Sequence, residues 1–352
     1  MKEASRTRLP VQNVRLRYFK AVRDSGLVRF TPLTVFIGNN GSGKSSMIEG
    51  LEVFRNIVVQ GTDEAFLPWR GFEHIWNKAV PHGLKEDKVG RLAPTNTMGF
   101  EISGAHGKVV LEADLTVSTD NEGNRIQTEP TDTSRGWRPW VEDWQFLNLD
   151  PRAMLDPTPE QRALKTVRLA KDGANIAQYL QSILDIDPHV LESIVETVKS
   201  VLPYVRDLRP AITQELQRLV YLRLNEEGIE DPLFGWLLSQ GTLRIVALLA
   251  VLRHPQPPSV VFIEELENGL DPRSIQLVVE EIRSFLADGR QVVATTHSPY
   301  LLDLLDLSHI VVVERSRTGA PTFTRPSRRQ LKGWAEKFSP GRLYTMGNLT
   351  ER

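Results

Sequence analysis

The stretch that most limits what this chain can become is Gly38–Ser46, GNNGSGKSS, directly after the apolar run Leu33–Ile37. It contains the pattern G-x-x-x-x-G-K-[ST], with Gly38 and Gly43 as the spaced glycines, followed by Lys44 and Ser45. Glycines let successive backbone N–H groups close around a phosphate. A lysine adds a point charge for the β- and γ-oxygens, and a hydroxyl completes a Mg²⁺ shell. The flanks agree with this reading. Leu33–Ile37 predicts a buried strand. Ser46–Val58 sets Ile48, Leu51 and Phe54 on one helical face, with Glu49 and Glu52 turned away. Strand, loop and helix in that order aim a helix N-terminus at the phosphates, where its dipole favours negative charge. The chain is expected to bind a nucleoside triphosphate through Asn39, Asn40, Gly41, Ser42, Gly43, Lys44, Ser45 and Ser46.

Composition narrows the alternatives. The 352 residues hold no cysteine, which excludes disulfides and thiolate metal sites, and the seven histidines show no ligand spacing. The longest apolar stretch, Ile245–Leu252, is too short to span a bilayer. The polar, basic start shows no secretory signal, so a cytoplasmic protein is expected. The net charge of −1 conceals an asymmetry: residues 1–29 carry +6, residues 315–352 carry +7, and the body between carries −14. Such ends suit nucleic acid or an acidic partner, and a solvated surface explains them equally well.

Val11–Phe19 alternates Val14, Leu16 and Tyr18 with Arg15 and Arg17, as a half-exposed strand does. Asp24-Ser25-Gly26 reads as a turn before a strand at Leu27–Phe30, and Lys108–Ser118 alternates again. Residues 61–105 give no clear pattern, and Thr119–Arg138 reads as a long surface loop. Asp187 and Pro188 open a helix whose apolar stripe is Val190, Leu191, Ile194, Val195 and Val198, stopped by Pro203. Leu216–Leu224 alternates. A very apolar helix follows Ser239 through Leu252, Ser259–Glu265 is a buried strand, and Ser274–Leu286 is an amphipathic helix. Gln291–Thr296 and a final strand, Ile310–Val313, close the list. Strands alternating with helices point to a mostly parallel sheet with phosphate ligands at its carboxyl edge.

Three further places carry chemistry. Glu264 and Glu265 end an apolar strand, where a P-loop enzyme needs a Mg²⁺ ligand and a base that orients water. Ser239-Gln240-Gly241 opens a helix, so Ser239 is an N-cap, and with its neighbouring N–H groups it is also placed to meet a phosphate. His297 follows an apolar strand on the same expected edge.

Taken together these segments resemble ABC-type ATPases: Walker A (Gly38–Ser46), signature (Leu238–Arg244, LSQGTLR), Walker B (Val260–Glu265), D-loop (Gly269-Leu270-Asp271) and switch histidine (Thr296-His297-Ser298) occur in that family's order. Ser239 stands 195 residues after Lys44, roughly twice the spacing of transporter nucleotide-binding domains. That spacing, the start Leu16–Lys20 and the signature variant look like the SMC/RecF branch. Within it, Lys171–Asn175 (KDGAN) and Gly341–Gly347 are similar to the standalone prokaryotic "AAA family ATPase" group, related to the ATPase half of the OLD (overcoming lysogenization defect) nucleases.

The resemblance implies an α/β P-loop head with a mostly parallel central sheet, an N-terminal antiparallel β-subdomain and a helical insertion. It implies a single ATPase domain over residues 1–352, with a P-loop lobe from about 1–60 and 255–352, an insertion over about 61–235 and a signature helix at about 239–253. It implies ATP and Mg²⁺ as cofactors. Lys44 would hold the β/γ-phosphates, Ser45 and Glu264 the metal, and Glu265 would polarise the water. His297 would sense the γ-phosphate. Ser239 and Gly241 would cap a partner's nucleotide, Asp271 would lie across the dimer interface, and Gln145 is the candidate Q-loop glutamine and metal contact. Two departures stand out: Glu264 occupies a position where most relatives have Asp, and Gln240 replaces the second signature glycine. With 37 residues after Arg315 the chain is expected to lack the OLD nuclease domain. The expected partners are a second copy across an ATP sandwich (a homodimer or higher homo-oligomer), a separately encoded effector and, as the alternative, DNA. No membrane is expected.

Overall fold

The structure, a computed structural model, describes residues 9–79, 84–86, 92–94, 97–117, 124–127, 136–161, 167–214, 217–331 and 333–349. It divides into two units, Met1–Trp144 with Val293–Arg352, and Gln145–Val292.

The first unit contains an antiparallel sheet. Asn13–Phe19 pairs with Val22–Asp24, Val28–Arg29 and Met98–Gly104, and Met98–Gly104 turns back into Gly107–Val117. The alternation of Val14 and Leu16 fixes which face is buried. The expected partner Tyr18 leaves that face. Tyr18 and Lys20 both take positive φ, 55° and 46°, and this twist brings Phe19 inward instead. Tyr18 then stacks on Trp76 at 5.9 Å. The stretch 61–105, which gives no clear pattern in the sequence, holds elements that include short helices at Thr62–Ala65 and Phe72–Ile75 and the strand Met98–Gly104. Within the expected loop Thr119–Arg138, Asn124–Gln127 forms a strand antiparallel to Asp114–Val117. Four residues held by ladder hydrogen bonds need no apolar pattern, so no periodicity announces them. Residues 119–123 and 128–135 of that stretch lie outside the described residues.

The same unit holds the P-loop strand. Gln291–Thr296 (from Val293 onward), Leu33–Ile37, Ile310–Arg315 and Pro321–Thr324 lie in that order. Ile310–Arg315 runs parallel to Leu33–Ile37. All five residues of Leu33–Ile37 are buried, as a continuous apolar run predicts for a strand covered on both faces. Ile310–Val313 is not the last strand: the strand continues to Arg315 and pairs antiparallel with Pro321–Thr324. The helix Lys44–Gln60 buries Met47, Ile48, Leu51, Phe54 and Ile57. At about 1.5–3 kcal/mol for each such side chain, that face anchors the loop preceding it.

In the second unit Gln145–Leu147 runs parallel to Val260–Ile263. A separate antiparallel sheet is built from Thr158–Pro159, Leu219–Glu226, Val205–Ile212 and Leu233–Phe234. Two helices, Ile176–Ile186 and Pro188–Val201, supply the helical insertion. Asp187 caps the second by accepting from His189 N at 3.0 Å, with Pro188 first in the helix. Leu191, Ile194, Val195 and Val198 are buried as the stripe requires, while Val190, in the first turn, is only half-buried. Helix Gln240–Leu252 is buried at every position from Thr242 onward, which is why its sequence is apolar all round. Arg253 beyond its end forks onto Glu281 at 2.6 and 2.7 Å and donates to Ser193, so three helices meet at one guanidinium.

Candidate functional site

In the first unit the loop after Leu33–Ile37 is shaped for an anion. Gly41 and Gly43 take φ of 72° and 109°, a left-handed backbone that turns successive N–H groups toward one point. Gly43 is the N-cap of Lys44–Gln60, and no side chain caps that helix, which leaves its first-turn N–H groups to a ligand. Ser42 Oγ is buried without a hydrogen-bond partner. Lys44 is buried, and its Nζ donates to Gly38 O at 2.7 Å and Asn39 O at 3.1 Å, which parks the ammonium at the mouth of the loop. A helix start without a side-chain cap, an orphan hydroxyl and a parked cation fit a polyphosphate. Ser45 is half-buried, Ser46 is buried, and Asn39 and Asn40 are exposed on the rim. His297 is exposed one residue past Gln291–Thr296, at the carboxyl end of the strand beside Leu33–Ile37.

The rim also contains residues that the sequence did not single out. Arg315 Nε donates to Gly41 O at 2.8 Å, and Tyr344 Oη lies 3.4 Å from Asn39 Oδ1. With Asn40 and Glu314 they line a cavity of about 700 Å³ beside the loop. Burial, with Glu314 adding to it, pushes the Tyr344 hydroxyl above its ordinary pKa.

In the second unit the paired carboxylates separate. Glu264 is buried immediately after Val260–Ile263, its N–H donating to Leu147 O at 2.8 Å. Glu265 is exposed, with φ 49°. One acid is thus fixed against the strand end and the other projects outward. Lys171, in the KDGAN segment, brings Nζ to 3.9 Å from Glu264 Oε1, and Asn148 N donates to Lys171 O at 2.7 Å. The segment thereby sets a cation beside the buried acid, a function for KDGAN that its spacing alone did not disclose. Gln145 is not brought to Glu264. It pairs in register with Val261, three residues earlier, and its amide donates to Leu169 O at 2.8 Å and Phe146 O at 3.2 Å. At about 3.3 Å per residue that leaves it roughly 10 Å down the strand. No group of three or more His, Asp or Glu side chains is placed to hold a metal among the described residues. Mg²⁺ bound through one or two carboxylates with substrate phosphates needs no such cage.

The signature segment lies in the same unit. Ser239 is exposed and caps Gln240–Leu252, accepting from Thr242 N at 3.1 Å. Gly241 packs against the turn before Pro272: a Cβ there would sit 2.8 Å from Gly269 O. Only glycine permits that approach. Asp271 is exposed and caps Pro272–Leu286, accepting from Arg273 N at 2.9 Å and Ser274 Oγ at 2.6 Å. The Ser274 hydroxyl, with the Ser274 and Arg273 N–H groups, holds its carboxyl below the ordinary range. Ser239, Gly241 and Asp271 therefore share one corner of the second unit.

A family model described as "AAA domain, putative AbiEii toxin, Type IV TA system" matches residues 101–303, more than half of the chain. Among solved structures, an Smc head bound to the C-winged helix domain of ScpA superposes with a TM-score of 0.62 at 16% identity, covering 93% of this chain and 99% of that one. The Pyrococcus furiosus Smc head with an extended coiled coil, bound to the C-terminal domain of ScpA, gives 0.60 at 13% identity, covering 94% and 99%. At these identities the likeness shows the fold, an SMC/ABC-type P-loop ATPase head. Curated relatives include pleiotropic drug resistance protein 1 of Petunia axillaris, 27% identical over 163 residues, and ABC transporter G family member 31 of rice, 29% identical over 113. The matched stretches span only 11% and 8% of those proteins' lengths. Among the described residues, no helix is long and apolar enough to cross a membrane.

Proposed function

Because the chain belongs to this AbiEii-type AAA-domain family, we propose that it binds and hydrolyses ATP with Mg²⁺ as a switch that controls a separately encoded effector. The observation that carries the ATPase reading is the P-loop: uncapped helix N–H groups, two left-handed glycines, an orphan Ser42 hydroxyl and Lys44 at its mouth. Phosphate oxygens would replace the Gly38 and Asn39 carbonyls at Lys44 Nζ. Ser45 and Glu264 would hold Mg²⁺, which when bound neutralises charge developing on the β- and γ-phosphate oxygens. Glu265, exposed beyond the strand end, would orient the attacking water, and His297 would contact the γ-phosphate. Ser239 and the N–H groups of Gln240–Leu252 would cap the nucleotide of a second copy, closing an ATP sandwich. Closure then couples γ-phosphate contacts to an open–closed equilibrium.

The effector reading draws on the toxin–antitoxin context in the family's description and on Smc heads captured with a second protein, ScpA. With it we propose a kinship with the ATPase half of OLD nucleases and a role in anti-phage defence. A second reading, a RecF/SMC-like DNA-binding ATPase, draws on the basic ends; affinity for DNA that falls steeply with salt would favour it. Turnover is tested with Lys44→Ala and Glu265→Gln. Lys44→Ala should lose ATP binding, and Glu265→Gln should keep binding while losing roughly 100-fold or more in turnover. Wild-type turnover from Glu265→Gln would remove the water-orienting role.

A further inference from the structure

We propose that Arg244 is a positioning residue that ties the signature helix to the main chain of Glu265 within one protomer. The proposal rests on Glu265 as the group that orients water.

Arg244 lies in the helix that begins at Ser239 and is 1% exposed. Its Nη2 donates to Glu265 O at 2.7 Å and its Nη1 to Leu149 O at 2.6 Å, while Nε is buried without a hydrogen-bond partner. Burial pulls the guanidinium below its ordinary pKa, and the Glu265 and Glu267 carboxylates oppose that pull. A buried cation with an unpaired donor is a costly way to fill a core position that methionine or leucine would fill. Its return is geometric. Glu265 is a non-glycine residue at φ 49°, a conformation that persists only where neighbours impose it. Two donors fix its carbonyl, Arg244 Nη2 and Asn268 N at 3.0 Å, and the carbonyl plane sets where the exposed carboxylate points. On the far side, Gly269 covers the arginine stem, 3.6 Å from a Cβ placed there to Arg244 Cδ.

Helix Gln240–Leu252 is buried from Thr242 onward, and close packing lets a displacement of its first turn carry to Arg244. A shift at Ser239, where a partner's nucleotide docks, is therefore passed by Arg244 to Glu265 of the same chain. Hydrolysis at one site becomes sensitive to nucleotide at the other.

Steady-state turnover and fluorescent-nucleotide binding on the full chain test this with Arg244→Lys, alone and combined with Glu265→Gln. Lysine keeps the charge and loses the fork. Nucleotide affinity should stay within about twofold while kcat falls roughly 10–100-fold, the range expected for a lost charge-assisted hydrogen bond. On top of Glu265→Gln the same change should alter the residual rate by less than about twofold, because both act through one carboxylate. A wild-type kcat in Arg244→Lys, or the full fall repeated in the double variant, overturns the proposal. Wild-type turnover from Glu265→Gln alone instead overturns the role of Glu265. Should Arg244→Lys not fold, hydrogen exchange of Glu265→Gln decides. ATP should slow the Asn268 amide together with those of 240–252, and exchange unchanged at Asn268 while 240–252 slows contradicts the tie.

Discussion

Gly241→Ala sets two effects of opposite sign against each other. Gly241 stands in the first turn of Gln240–Leu252, where alanine is favoured over glycine by less than the about 1 kcal/mol of a helix interior, so propensity alone predicts a slightly more stable protein. Against that, the new Cβ would lie 2.8 Å from Gly269 O, about 0.6 Å short of an ordinary contact at 3.4 Å. The opposing atom is backbone in a turn at φ 70° with the Arg244 stem behind it, so no side-chain rotation relieves the overlap. Helix Gln240–Leu252 is buried at every position from Thr242 onward and cannot retreat cheaply, so the turn from Asn268 to Asp271 must shift by about half an ångström. Misplacing a reacting group by 1 Å can cost about 100-fold, so half that shift next to Glu265 should cost on the order of 10-fold in kcat. The melting temperature should move by no more than about 4 °C, since the two stability terms oppose. Phosphate release, nucleotide affinity and thermal unfolding measured on one preparation separate the effects. A raised melting temperature with wild-type kcat would show that the turn yields freely and that its packing on Gly241 has no bearing on catalysis.

Two further substitutions divide structure from chemistry. Ser239→Asn preserves an N-cap, so thermal stability should hold within about 0.5 kcal/mol while ATP-driven dimerisation weakens; Ser239→Ala should lose about 1 kcal/mol of stability as well. Equal dimerisation in wild type and Ser239→Asn would reduce Ser239 to a cap. Asp271 has a folded pKa below its unfolded value, so its contribution to stability is present above about pH 4 and is lost as pH falls through the folded pKa. The deficit of Asp271→Asn against wild type in thermal unfolding should therefore be largest near neutrality and shrink in acid. A deficit independent of pH would contradict the assignment.

The parts of this molecule legible in the sequence are those where one interaction dominates. The P-loop, the buried run Leu33–Ile37, the Asp187-Pro188 helix start and the apolar helix after Ser239 each follow from sterics, capping or burial alone. Alternation puts Tyr18 on the face of Val14 and Leu16 because it assumes an undistorted strand, and positive φ at Tyr18 and Lys20 breaks the parity. Asn124–Gln127 and Pro321–Thr324 carry no periodic signal because strands of four residues are held by ladder hydrogen bonds to the preceding strand. At the candidate site, the order of motifs nominates Lys44, Ser239, Glu264 and Glu265, yet which acid is buried depends on backbone conformation beyond Ile263. Gln145 carried the right residue type but falls three positions early in its strand register. Lys171 and Arg244 reach Glu264 and Glu265 only through tertiary packing, although both stand inside segments the sequence marked.

The central claim, a nucleotide-driven closure of two copies, is tested most directly by the solution mass of Glu265→Gln with and without ATP–Mg²⁺ after gentle purification from its own host. The account predicts a mass that doubles only when ATP and Mg²⁺ are both present, with Lys44→Ala unresponsive in the same assay. A mass that is the same in both conditions, in protein shown to bind ATP, would contradict it.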